Sequence, residues 1–185
     1  MILPIYAFGE RVLRAECEEI NRNFPHLEKI IKDMWETMYH SHGVGLAAPQ
    51  VGLNIRLFII DSREMYEEED QEKGMQKVFI NPSILSEEGK LWSYEEGCLS
   101  IPGIREDVQR KETLRIKYFD ENFEPQIETF DGLNARVIQH EYDHIEGILF
   151  IDHISPLKKQ LIKNRLLQIT RGLVDVKYKM KFPRR

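Results

Sequence analysis

Cysteine is scarce in this chain: Cys17 and Cys98 are the two in 185 residues. Two thiols make no disulfide framework at this length, which points to a reducing compartment where thiols stay free to bind metal. No apolar run approaches the ~20 residues that a membrane-spanning helix needs. The start, Met1 to Arg14, lacks the charged-then-apolar order of a secretory signal. No internal repeat is visible, and no Gly-Lys-Ser/Thr ending marks a phosphate loop. These absences lead to the expectation of a cytoplasmic protein with no membrane partner.

What is present suits one domain over residues 1–185, since 42% of the residues are hydrophobic and can fill a core. The net charge of −5 hides an asymmetry. From Pro156 to Arg185 ten Lys/Arg face one acid, Asp175, and everything before is strongly acidic. This basic C-terminal helix and tail (156–185) fits contact with RNA or another polyanion, and equally a solvated surface that aids solubility. Between Ser62 and Lys77, Glu64, Glu67, Glu68, Glu69, Asp70 and Glu72 cluster, which reads as an exposed, mobile surface loop (62–77).

Leu3 to Leu13 reads as an irregular arm broken by Pro4 and Gly9. Helical spacing of Leu27, Ile30, Ile31, Met34 and Met38 predicts a helix from about Pro25 to His40. Ile55–Asp61 and Val78–Asn81 read as strands, with Asn81-Pro82 as a turn and Leu91–Tyr94 as a short apolar strand. Thr113–Phe119 alternates, with Leu114, Ile116 and Tyr118 on one face, and Ile127 to Phe130 suggests its hairpin partner. Ser155-Pro156 opens an amphipathic helix with Leu157, Leu161, Ile162, Leu166 and Ile169 inward, ending near Gly172. Val174, Val176, Tyr178, Met180 and Phe182 then alternate with lysines, a strand whose edge the lysines protect.

The chemistry concentrates in His140-Glu141-Tyr142-Asp143-His144, an H-E-x-x-H pattern. Residues four apart share one helix face, so both imidazoles can address one metal ion, with Glu141 beside them to handle the proton of a water. Asp131 can cap this helix and Gly147 follows its end. Leu133, Val137, His140, Glu141 and His144 form one stripe; Ala135, Ile138, Tyr142 and Ile145 form a second apolar flank. A helix apolar on both flanks is buried, so its polar stripe must meet a partner or cavity. Without that stripe, two surface histidines and an ion-paired Glu would be the better reading. His26, His40, His42 and His153 have no ligand-like spacing and read as structural or exposed. A third ligand is available in Cys98, because two His and one Cys leave a coordination position open for water.

Gly43-Val44-Gly45-Leu46-Ala47-Ala48-Pro49-Gln50, Glu96-Gly97-Cys98-Leu99-Ser100 and His140-Glu141-Tyr142-Asp143-His144 together resemble the three ordered motifs of the bacterial peptide deformylase family. The similarity runs from about Leu3 to Lys159. It implies an α+β fold in which small antiparallel β-sheets surround a central buried helix carrying H-E-x-x-H, and the C-terminal amphipathic helix and terminal strand read above from periodicity follow it. It implies removal of the N-formyl group from the N-terminal formylmethionine of newly synthesised polypeptides, releasing formate. By the resemblance, Cys98, His140 and His144 hold the metal, and Glu141 is general base and acid. Gln50 through its amide and Leu99 through its backbone N–H hold the formyl oxygen. Gly43, Val44 and Gly45 align the substrate backbone. Tyr94, Glu96, Gly97, Leu133 and Val137 shape the methionine pocket, and Arg105 reaches later substrate residues. The implied ion is Fe²⁺, with Zn²⁺, Ni²⁺ or Co²⁺ as other occupants, and the implied partners are N-formylmethionyl nascent peptides and, through the basic C-terminal region, the ribosome.

The acidic loop and the tail after Gly172 depart from the shortest members, and neither is expected to touch the motifs. H-E-x-x-H alone also suits a zinc metalloprotease, but the candidate third ligand lies upstream and is a cysteine. A structural metal module would close its site with four protein ligands, and this chain offers three plus a free acid.

Overall fold

The computed structural model describes residues 1–183; Arg184 and Arg185, the last charges of the basic tail, lie outside the described residues. Five strands pair antiparallel in the order β2 (Gly45–Ala47), β3 (Leu57–Asp61), β4 (Gln76–Cys98), β5 (Ile101–Phe119) and β6 (Pro125–Asp131). A second sheet pairs β1 (Ile5–Tyr6) with β7 (Met180–Lys181), parallel. Three helices complete the chain: α1 (Leu27–His40), α2 (Gly132–Ile145) and α3 (Pro156–Thr170). The α+β class stands, with the antiparallel pairing gathered in one five-stranded sheet beside the small two-stranded one. The segments read as separate strands at Val78–Asn81 and Leu91–Tyr94 are one 23-residue strand.

Asn81-Pro82 does not reverse the chain. It lies at a register shift between Ile80 and Ser83, with Asn81 at a φ of 47°. Proline has no N–H for a ladder, so a strand carries it at a bulge, and asparagine tolerates positive φ. The Asn81 amide is held by Ile20, accepting from its N–H at 2.9 Å and donating to its carbonyl at 2.7 Å. Further shifts at Ile84/Ser86, Glu88/Leu91 and Gly97/Cys98 interrupt the β4–β5 ladder, as bulges that increase local twist do.

Alternation in β5 is as expected: Leu114, Ile116 and Tyr118 are buried, and Arg115 and Lys117 exposed. Under them Phe79 stacks on Phe58 with centroids 4.7 Å apart and meets Tyr118 at 4.3 Å. The α2 flank of Ala135, Ile138 and Ile145 seals against this layer. Asp131 does precede α2, but its side chain makes no capping bond.

Three other expectations change. The N-terminal arm is not wholly irregular, because it contains β1, which pairs with β7. In α3, Ser155 Oγ accepts from Lys158 N–H at 3.3 Å as a cap should, yet Leu157 and Leu161 face solvent, and Ile162 and Ile169 carry the contact. The terminal strand shrinks to Met180–Lys181, and residues 173–178 run as irregular chain. The acidic segment forms two 3₁₀ turns, Arg63–Met65 and Glu68–Lys73, pinned by Asn134 Nδ2 to the Lys73 carbonyl at 2.8 Å. Among the described residues no helix is long and apolar enough to cross a membrane.

Phe79→Ala empties the centre of the aromatic layer. It should lower unfolding free energy by about 3–5 kcal/mol in urea titration, with metal content retained.

Candidate metal and active site

β4 and β5 are joined by the two-residue tip Leu99–Ser100, and Cys98 pairs with Ile101 to close it. This tip lies over the inward face of α2, on which a four-residue spacing puts His140 and His144 side by side. Donor atoms of Cys98, His140 and His144 lie within 4.8 Å of one another. The Cys98 sulfur is 3.3 Å from His144 Nε2. His140 Nδ1 sits 2.8 Å from a Glu96 carboxylate oxygen, which leaves Nε2 as the atom for a metal. One soft thiolate and two imidazoles suit a divalent transition metal and leave a position open.

Electrostatics favour that role. Burial alone would raise the Cys98 thiol, but the facing charges of His144 and His140 outweigh it and bring the pKa down to about 5. Glu141 moves the other way: burial lifts its pKa to about 7 against the pull of both imidazoles. Glu141 Oε2 and His144 Nδ1 are buried without a hydrogen-bond partner among the described residues. An orphaned carboxylate oxygen in a dry site is costly unless something else occupies the space beside it. The fit is therefore good, with three donors and an unsatisfied acid converging on one point.

Gln50 is buried, and its Oε1 accepts from Ala47 N–H at 2.9 Å. That bond turns the NH₂ inward, 3.4 Å from the Cys98 sulfur and 3.3 Å from Ser100 Oγ. Gly45 has no room for a side chain: a Cβ there would lie 2.4 Å from Glu141 Oε1.

A cleft of about 840 Å³ opens over Cys98 and His140, with His144 buried behind its lining. Gly43, Val44, Gly45, Gln50, Tyr94, Glu96, Gly97, Leu99, Arg105, Val137, His140 and Glu141 all line it. Leu133, expected in the pocket, lies outside the lining because α2 carries its side chain a turn beyond Val137. Glu96, expected to shape the pocket, lines the cleft and has its carboxylate committed to His140, to Arg110 at 2.7 and 3.0 Å, and to Arg136 at 2.9 Å. Arg105 is turned onto Glu95 at the exposed rim, 2.7 Å away.

Sequence reading missed Arg110 and Arg136. Arg136 falls between Ala135 and Val137 on an all-round buried helix, a position that demands a buried acid, and that was the available signal. It bonds the carbonyls of Val108 and Trp92 as well and lies over the Trp92 ring. The expectation that the acidic segment and the tail stand clear of the motifs is overturned. Met65 and Val174 through Tyr178 line the cleft, and the Tyr178 hydroxyl donates to the Leu99 carbonyl at 2.8 Å.

A family model described as polypeptide deformylase matches residues 2–160. The chain belongs to the polypeptide deformylase family. It is 53% identical over 190 aligned residues to a peptide deformylase of Christiangramia forsetii, covering 99% of this chain and 97% of the relative. Its structure resembles a peptide deformylase of Legionella pneumophila with a TM-score of 0.81 at 38% identity, covering 94% of this chain and 98% of the other. It also resembles a plant peptide deformylase at 0.83 and 32%, covering 96% of each. The family is metal-dependent, and its reaction removes the N-formyl group from nascent peptides, so this chain is an enzyme of that class.

Two tests follow from the geometry. Gly45→Ala should displace the Glu141 carboxylate by about 1 Å and cost roughly 10²-fold in kcat, with circular dichroism unchanged. Glu96→Gln leaves buried Arg136 and Arg110 under-compensated and should cost about 3–5 kcal/mol in denaturant. The Glu96 carboxyl is held well below its ordinary value of 4.5 despite burial, by His140 and Arg110. Its stabilisation is thus complete above that pH and is lost as pH falls below it. Melting temperature in the wild type should drop on acidification below about pH 4.5, and less steeply in Glu96→Gln.

Proposed function

We propose that residues Cys98, His140 and His144 hold one divalent ion, Fe²⁺ in the native enzyme, and that the cleft hydrolyses the formyl amide of N-formylmethionyl peptides. Zn²⁺, Ni²⁺ and Co²⁺ suit the same donors. The observation that carries this reading is Glu141, buried with an unpartnered oxygen beside the three donors. When bound, such an ion supplies Lewis acidity, drawing the pKa of a water it holds from 15.7 toward ~7.

The chain's own residues do the rest. Gly43, Val44 and Gly45 align the peptide backbone, and Val137, Tyr94 and Gly97 shape the methionine pocket. Glu141 takes a proton from the attacking water as its oxygen bonds to the formyl carbon. The Gln50 amide and the Leu99 N–H donate to the formyl oxygen as it gains charge, each worth roughly 3 kcal/mol. The C–N bond then breaks, Glu141 returns the proton to the amine, and formate leaves. A pKa of about 7 lets Glu141 accept and return that proton near neutrality. Glu96 fixes the His140 tautomer, which keeps Nε2 free for the ion.

Residues 1–185 act as a single catalytic unit in the cytoplasm on this reading. Lys159, Lys163, Arg171, Lys177, Lys179 and Lys181 are exposed, which supports ribosomal RNA as the partner of the basic end.

Anaerobically purified protein should release formate from formyl-Met-Ala-Ser and leave acetyl-Met-Ala-Ser intact. Glu141→Ala should keep one metal per chain and lose at least ~10³-fold in kcat, whereas Cys98→Ala should lose metal first. A Glu141→Ala enzyme within tenfold of wild type would sink the assignment.

A further inference from the structure

We propose that Tyr178 is a positioning residue for the formyl-oxygen site, acting through the backbone of Leu99. The inference rests on Leu99 N–H being a donor to that oxygen. Tyr178 lies beyond the residues 2–160 that match the family model, in a segment that folds back over the cleft.

The route of that segment is defined at both ends. After α3 the chain reverses at Gly172, at a φ of 71°, with Leu173 N–H bonding back to the Gln168 carbonyl at 2.9 Å. Val174 to Tyr178 then pass along the cleft, and β7 locks onto β1, where Ile5 N–H reaches the Lys179 carbonyl and Ala7 N–H the Lys181 carbonyl, each at 2.8 Å. Tyr178 is therefore carried on chain anchored on either side of it.

Its hydroxyl meets the one part of the site that is a bare turn. A two-residue tip has few internal restraints, and Leu99 contributes backbone, which no substitution of its side chain tunes. Besides the packing of the Leu99 side chain against the core, three outside hydrogen bonds hold the tip among the described residues. Phe8 N–H donates to the Ser100 carbonyl at 2.8 Å, Gln50 Nε2 donates to Ser100 Oγ at 3.3 Å, and Tyr178 donates to the Leu99 carbonyl at 2.8 Å. The first two fix Ser100; Tyr178 fixes Leu99 itself. Holding that carbonyl limits rotation about the bonds of Leu99 and so limits the swing of its N–H. Oxyanion donors are effective when already aimed before charge develops.

A phenol packed beside Leu99 solely to fill space would also find a carbonyl, and that simpler role predicts a loss of stability alone. Tyr178→Phe separates the two, since it keeps the ring. Wild-type and variant, both metal-loaded, are compared for kcat and KM on formyl-Met-Ala-Ser, for amide exchange at Leu99 and for melting temperature. Expected are faster exchange at Leu99, KM within twofold, and kcat lower by about tenfold, a fraction of the ~10²–10³ lost with a donor outright. p-Aminophenylalanine at 178, which restores a donor, should recover kcat. Unchanged exchange overturns the inference, because Tyr178 then does not hold the tip. Faster exchange with unchanged kcat also overturns it, by removing Leu99 N–H as a working donor. An inactive wild type with metal bound would instead sink the reading of the site on which the inference rests.

Discussion

The Glu96 carboxylate joins the sheet to the helix. It sits on β4, and its partners are His140 and Arg136 on α2 and Arg110 on β5. Arg110 continues to Asp143 at 2.7 Å, and Asp143 to His153 at 2.7 Å. Buried charges are tolerated when every one finds a partner and are strongly destabilising when one does not. Here a small rotation of α2 would take Arg136 away from Glu96 and Asp143 away from Arg110. The network that sets the helix register thus also sets which imidazole nitrogen faces the cleft, so stability and ligand geometry come from the same contacts.

Within a few ångströms two acidic groups are driven in opposite directions. Cys98 is brought to about 5 by imidazoles that outweigh burial, and Glu141 is lifted to about 7 because burial outweighs those same imidazoles. Pairs of titratable groups pushed apart in this way mark a division of labour between holding a cation and moving a proton. The division depends on space as well as charge. Gly45 brings bare backbone against the Glu141 carboxylate, and no other residue leaves that gap.

What the sequence made legible followed local periodicity. The H-E-x-x-H stripe, the alternation of Leu114, Ile116 and Tyr118, and the Ser155-Pro156 start each depend on neighbours within a turn or a pleat. The errors arise where distant chain decides. Asn81-Pro82 has the composition of a turn, but tertiary pairing draws it into a bulge. Leu157 and Leu161 have helical spacing, but no element covers them. Val174 to Tyr178 alternate like a strand, but no edge is there to pair with until Ile5–Tyr6 meets Met180–Lys181. The Cys98–His140–His144 cluster was readable from spacing and donor chemistry; the partners of Glu96 were not, since nothing local says which acid a buried arginine meets.

The parallel pairing of β1 with β7 joins residues as far apart in the chain as Tyr6 and Lys181, 175 positions. Closing so long a loop is entropically slow, and contacts of short range form first. The five-stranded sheet and the Cys98–His140–His144 cluster depend on shorter closures than this one. Loop-closure entropy therefore predicts that the side of the cleft lined by Val174 to Tyr178 is ordered last as the chain folds.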